Sequence, residues 1–263
     1  MVRPTVRSSL TRAADRAGPA ALVAAGIAAV VALAVAPRAA IQGEAQRLMY
    51  VHVPGAWTAF AAFGCVALCS IAVLLRRPGP YDAVARAAAE LGVAMTALTI
   101  MEGSLWGHTA WGVWWAWDPR LVSTAFLLVS YVAYLALRSL PGDPVRVQRR
   151  AAVAGLVFAV EVPVVHFSVL WWRTLHQPPT LLVPSLSPPI APLMLLALLL
   201  GVVTFSLGGL WYVRRRVRQL TGATPQAPQL SPPSVLGPVP APRSAERVLD
   251  PLPERTAREE TGA

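Results

Sequence analysis

The sequence predicts an all-α integral membrane protein with six transmembrane helices, and three observations carry that reading. Hydrophobic residues make up 55% of the chain and charged residues only 14%, with a mean hydropathy of +0.52; a soluble domain carries about 25% charged residues. Six apolar runs approach or exceed the roughly 20 residues needed to cross hydrocarbon. All 23 basic residues are arginines, clustered between those runs. The formal charge of +10 therefore reflects the basic flanks of membrane spans and not nucleic-acid binding.

In order, the spans read as about 20–36, 55–75, 87–107, 121–137, 151–170 and 190–213. The first has a basic start and an Ala-Val-Ala stretch, as a secretory signal does, but its apolar part exceeds the usual run of about 7–15 residues and it reads as a retained span. The second contains Cys65 and Cys69, four residues apart on one helical face, which is the placement of inert packing residues. Glu90 and Glu102 fall near the two ends of the third span, where snorkelling to the interfaces accounts for them. The fourth opens on Asp118-Pro119, an N-cap followed by a first helical residue. Glu161 and Pro163 lie in the middle of the fifth, with His166 one turn further out; a hydrogen-bonded kink is one reading and a ligand or partner-helix contact the other. The sixth runs into the Arg214–Arg218 cluster.

Arginine placement predicts the sidedness. Nineteen fall in the N-terminus, the second and fourth connections and the C-terminal segment, and only Arg38, Arg47, Arg120 and Arg173 on the opposite side. By the positive-inside rule both termini are cytoplasmic. The organisation is then a basic cytoplasmic N-terminus (1–19), a membrane domain (20–213) with a Trp-rich motif at 106–120, and a basic, then Pro/Ala-rich cytoplasmic tail (214–263) too poor in apolar periodicity to fold from about residue 222.

The outward connections hold the unusual residues: 48–54, 106–120 and 171–178. Five tryptophans, Trp106, Trp111, Trp114, Trp115 and Trp117, fall within twelve residues. Trp111, Trp114, Trp115 and Asp118 are spaced to share one face of a helix lying along the membrane surface. That platform suits a flat, apolar, partly charged ligand; an interfacial aromatic belt is the structural alternative, and for Asp118 a purely capping role is. His52 and His176 stand in two outward loops, each close to a proline. Two neutral imidazoles complete the axial coordination of a heme iron, whereas a closed zinc site wants four protein ligands; surface hydrogen bonding is the alternative role. Heme propionates require paired cations, for which Arg47, five residues before His52, and Arg120, closing the Trp-rich loop, are the candidates. Topological or headgroup roles remain open for both. His108 is a further, lower-ranked candidate ligand.

Together, Met49-Tyr-Val-His-Val-Pro-Gly-Ala-Trp57, Trp106-Gly…Trp111-Gly-Val-Trp-Trp-Ala-Trp-Asp118 with Arg120-Leu121, and His166-Phe-Ser-Val-Leu-Trp-Trp-Arg-Thr-Leu-His-Gln177 resemble the CcmC family of cytochrome c maturation, the heme exporter C proteins of the WWD heme-handling superfamily. The resemblance covers about residues 20–213. It implies a heme b bound non-covalently by the axial pair His52 and His176, a platform of Trp106, Trp111, Trp114, Trp115, Trp117 and Asp118, and assistance from Arg47 and Arg120. It also implies a heme-delivery protein and not an enzyme. The site would face the periplasm from the bacterial inner membrane, in a complex with the heme chaperone CcmE, the ABC transporter subunits CcmA and CcmB and the small membrane protein CcmD. Two other functions compete. A CcsA-type cytochrome c heme lyase shares the WWD loop and the Pro119 form, but its members are usually longer with more spans. A transporter subunit without heme would use the Trp loop as a lipid-headgroup anchor.

Overall fold

The computed structural model describes residues 18–176 and 190–222; residues 1–17, 177–189 (with Gln177 and Pro178 of the third loop expected to face outward) and 223–263 of the expected tail lie outside the described residues. Six helices long and apolar enough to cross a membrane are present: α1 (Gly18–Val35), α2 (Glu44–Leu74), α3 (Tyr81–Trp111), α4 (Pro119–Ser139), α5 (Pro144–Trp171) and α6 (Pro192–Gly222). Among the described residues there is no strand, only an isolated bridge between Ala39 and Gly43.

The all-α expectation holds, with instructive differences at the ends. α2 begins eleven residues before its predicted start, with a 3-10 turn over Glu44–Leu48 leading into regular helix at Met49. His52 is therefore on a helix and not in a loop. Pro54, inside α2, leaves the Tyr50 carbonyl without a helical donor, and α6 closes over this point: a Cβ on Gly201 would sit 2.9 Å from that carbonyl oxygen. α3 runs on past residue 107 to Trp111 and stops at Gly112, whose φ of 76° is the left-handed cap that glycine adopts freely. Asp118 caps α4 as predicted, accepting a hydrogen bond from the Arg120 N–H, with Pro119 in the first turn. α5 breaks at Val160. The cause is Pro163, which cannot donate to the Ala159 carbonyl and whose ring crowds it; Ser130 of α4 donates to Glu161 Oε1 at 2.7 Å beside the kink.

α2 lies at the centre and packs on α3, α5 and α6, while α4 closes the bundle against α3 and α5. Hydrocarbon surroundings offer helices no hydrophobic reward for meeting, so close approach over small residues has to supply it. Ala85, Ala88, Ala89 and Gly92 of α3 provide that surface to Ala59, Phe63 and Val66 of α2. Phe63 fills the space left by Gly92 and stacks on Tyr131 of α4, with ring centroids 3.7 Å apart. Cys65 and Cys69 are unbonded and packed in this core, as expected. The large apolar side chains left exposed, such as Leu68, Met101, Phe126 and Val129, suit contact with lipid.

Ion pairs finish both ends. At one, Glu90 takes Arg216 at 2.6 Å and Arg86 at 3.2 Å, and Arg138 reaches Asp82 at 2.6 Å. Glu90 is thus paired across helices and not snorkelled alone. At the other, Arg47 pairs with Glu44 and donates to the Ala32 carbonyl in the π-helical last turn of α1. That second end holds His52, the Trp-rich connection and His176.

Candidate functional site

A cleft opens at that end and is lined by residues of α2, α3, α4 and α5 and of two connections, the one before α4 and the one after α5. His52, Trp115, Arg120 and His176 all line it. The two histidines come from opposite halves of the chain: a carboxylate pairs with the His52 ring, and another holds the strip that carries His176.

His52 sits one turn into the regular part of α2, against α3. Its Nδ1 is 2.7 Å from Oε2 of Glu102, so the expectation that Glu102 snorkels to the interface is corrected: it points sideways to a ring nitrogen. Trp106, one turn further along α3, meets the imidazole edge to face with centroids 5.6 Å apart. Gly103 lets α3 come this close, because a Cβ there would lie 2.8 Å from His52 Cε1.

His176 lies beyond the end of α5, where the chain leaves the helix at Trp172. Asp118, only 6% exposed, holds this strip in place. Its Oδ2 accepts hydrogen bonds from Thr174 Oγ1 at 2.6 Å and from the Leu175 N–H at 2.7 Å, and its Oδ1 accepts from the Arg120 N–H at 2.9 Å. Burial disfavours the charge on Asp118, but these three donors, from Thr174, Leu175 and Arg120, hold its carboxyl below the usual range. His176 Nδ1 is 3.5 Å from Asp118 Oδ1. Burial, then the positive charge of Arg120, push the His176 imidazole down to about 4, against the pull of Asp118. It is a neutral ring with a lone pair at neutral pH.

The Trp-rich connection departs from the predicted surface helix. Gly112 ends α3 and Asp118 starts α4, and the residues between are not helical. The indoles consequently diverge. Trp111, still on α3, meets His176 edge to face at 5.1 Å. Trp114 stacks on His108 at 4.2 Å with ring planes 5° apart, taking His108 out of the cleft. Trp115 turns into the cleft, and Trp117 is 86% exposed. Of the two candidate cations, Arg120 lines the cleft and reaches the His166 carbonyl at 3.5 Å, while Arg47 is engaged with Glu44 and α1 and does not line it. The His166 ring is edge-on to Phe60 at 6.4 Å. Glu102, Gly103 and Thr174 are the site residues that sequence reasoning missed. Only Glu102 left a signal, as a carboxylate one turn before Trp106 in an otherwise apolar helix.

Fold and site together define a polytopic α-helical membrane protein with a two-histidine cleft at one end of its bundle. Residues 3–226 match the family model described as CcmC, heme exporter protein C, and the chain belongs to that family. Among similar proteins are heme exporter protein C of Bradyrhizobium diazoefficiens, 43% identical over 137 residues, 52% of each chain, and a ccmC-like mitochondrial protein of cytochrome c biosynthesis from Marchantia polymorpha, 35% identical over 144 residues, 55% of this chain and 60% of that one. Heme exporter protein C of Haemophilus influenzae is 34% identical over 177 residues, 67% of this chain and 72% of its own. The match thus spans a little over half the length of the first two relatives.

Proposed function

We propose that this chain binds heme b between His52 and His176 at the periplasmic face of the bacterial inner membrane and delivers it to the chaperone CcmE for cytochrome c maturation. The observation that carries the reading is the convergence of the two imidazoles on one cleft. His52 has Nδ1 turned to the Glu102 carboxylate, which leaves its Nε2 as the nitrogen available to iron. Among the described residues no group of three or more His, Cys, Asp or Glu could hold a bare metal ion. A metal that brings its own four equatorial nitrogens needs only the two axial ligands.

The other lining residues suit the same cargo. Trp115 offers an indole to a porphyrin face or edge, and Arg120 a guanidinium for a propionate. Arg47, tied to Glu44 and α1, contributes by fixing the turn that leads into the His52 helix. Trp114 and Trp117, 57% and 86% exposed, extend the aromatic surface outward toward a receiving partner. In this reading the chain carries heme and makes no covalent bond itself. CcmA, CcmB and CcmD are the membrane partners of the export complex.

The test is the absorption spectrum and pyridine hemochrome content of the detergent-purified protein beside His52→Ala and His176→Ala. Six-coordinate low-spin heme in the parent, lost or converted to high-spin in each variant, is the expected result. A colourless parent after expression with ample heme, or unchanged spectra in both variants, would overturn it.

A further inference from the structure

Three residues on adjacent turns of α3 hold the His52 ring. Glu102 lies at Nδ1, Gly103 makes room at Cε1, and Trp106 supports the ring edge to face. Glu102 is 11% exposed, and its second oxygen, Oε1, is buried without a hydrogen-bond partner. The carboxylate is therefore committed to the imidazole alone. Keeping an ionisable group at such a place in a spanning helix is expensive, and neither a helix cap nor an arginine partner accounts for it. His176 has no equivalent support. Its carboxylate neighbour stands 3.5 Å away and is already engaged by Thr174, Leu175 and Arg120.

We infer that Glu102 is the positioning residue of His52: it accepts the Nδ1–H hydrogen bond, fixes the tautomer that presents Nε2, and strengthens that nitrogen as a ligand for ferric heme. The inference rests on the heme reading above. A carboxylate behind a metal-bound imidazole fixes ring orientation and raises ligand basicity, commonly by an amount seen as about 10–100-fold in affinity. The extra electron density favours ferric over ferrous iron. The unequal support of the two rings also makes His52 the ligand that keeps heme while His176 lets go, as a carrier about to hand on its cargo requires.

The experiment uses the full chain in detergent, titrated with hemin and examined by spectroelectrochemistry, as parent, Glu102→Gln, Glu102→Leu, His52→Ala and His176→Ala. Glu102→Gln keeps the shape and removes the charge. It is expected to raise the midpoint potential of bound heme by about 59 mV, equivalent to a tenfold change in the ferric-to-ferrous affinity ratio. Glu102→Leu is expected to weaken hemin binding by about 10–100-fold, and His176→Ala to retain five-coordinate heme more tightly than His52→Ala retains any. Should Glu102→Leu fail to fold by circular dichroism, the potential of Glu102→Gln decides. An unchanged potential in Glu102→Gln, with parent and His52→Ala behaving as the heme reading requires, overturns this inference alone. A parent that takes up no hemin overturns the heme reading, and the inference with it.

Discussion

Thr174 donates its hydroxyl to Oδ2 of Asp118 at 2.6 Å, across 56 residues of sequence, and so ties the start of α4 to the strip that carries His176. The Leu175 N–H reinforces the same joint, and the Arg120 N–H uses the other oxygen. One carboxylate caps a spanning helix and anchors the segment that follows α5.

Asp118→Ala is accordingly expected to release His176 while leaving the six helices in place. The lost N-cap costs about 1 kcal/mol, too little to unfold the bundle. Bound heme should pass from six-coordinate low-spin to five-coordinate high-spin, read by absorption and resonance Raman spectra. Thr174→Val, which removes one of the three donors, should shift a smaller fraction of the population. A low-spin spectrum identical to the parent in Asp118→Ala would show that His176 is placed by something else.

Two glycines of α3 separate site from core. In Gly103→Ala the new methyl would meet His52 Cε1 at 2.8 Å and turn the ring off Glu102. Since Ala is a better helix former than Gly, the thermal midpoint should hold while hemin affinity falls about tenfold. In Gly92→Ala the methyl would stand 2.3 Å from Phe63 Cε1, whose ring is pinned on Tyr131. Overpacking of that kind costs about 1–3 kcal/mol and should lower the midpoint without altering the heme affinity of the folded fraction. Equal effects of both substitutions on both measurements would refute the separation.

His176 should titrate far from the ordinary histidine. Burial and the charge of Arg120 lower it to about 4, against about 6.5 for a free imidazole. Between those values the unfolded chain binds a proton that the folded chain does not, so stability from this residue falls as pH drops through that window. In heme-free protein, histidine NMR is expected to place its midpoint near the lower value, and Arg120→Gln to move it up. A midpoint at the ordinary value in the parent would mean that the ring is solvated.

Much of the bundle was legible because crossing hydrocarbon imposes length and composition on each helix separately. The N-cap at Asp118-Pro119 and the kink at Pro163 were equally local, each decided by whether a backbone N–H has an acceptor or a carbonyl a donor. Helix ends were less legible. A rule based on apolar runs stops where polar residues begin, whereas α2 and α3 continue through His52, whose Nδ1 meets Glu102 of the neighbouring helix, and Trp111, whose ring meets His176 after α5. The surface helix expected of the tryptophans failed on one residue, since Gly112 takes a left-handed conformation and leaves too few residues before the Asp118 cap.

By itself the sequence determined six apolar helices, the residues that cap and kink them, and the candidate groups gathered at one end of the spans, because period, composition and capping chemistry act over a few neighbouring positions. Only the tertiary structure decided which of those groups meet. It paired His52 with Glu102 over 50 residues and Asp118 with Thr174 over 56, and it set Trp111 against His176 and Arg47 against the Ala32 carbonyl of α1. Such contacts depend on the register in which helices pack, and that register is set by the small-residue faces of α2, α3 and α6 acting together, a property that no single segment carries.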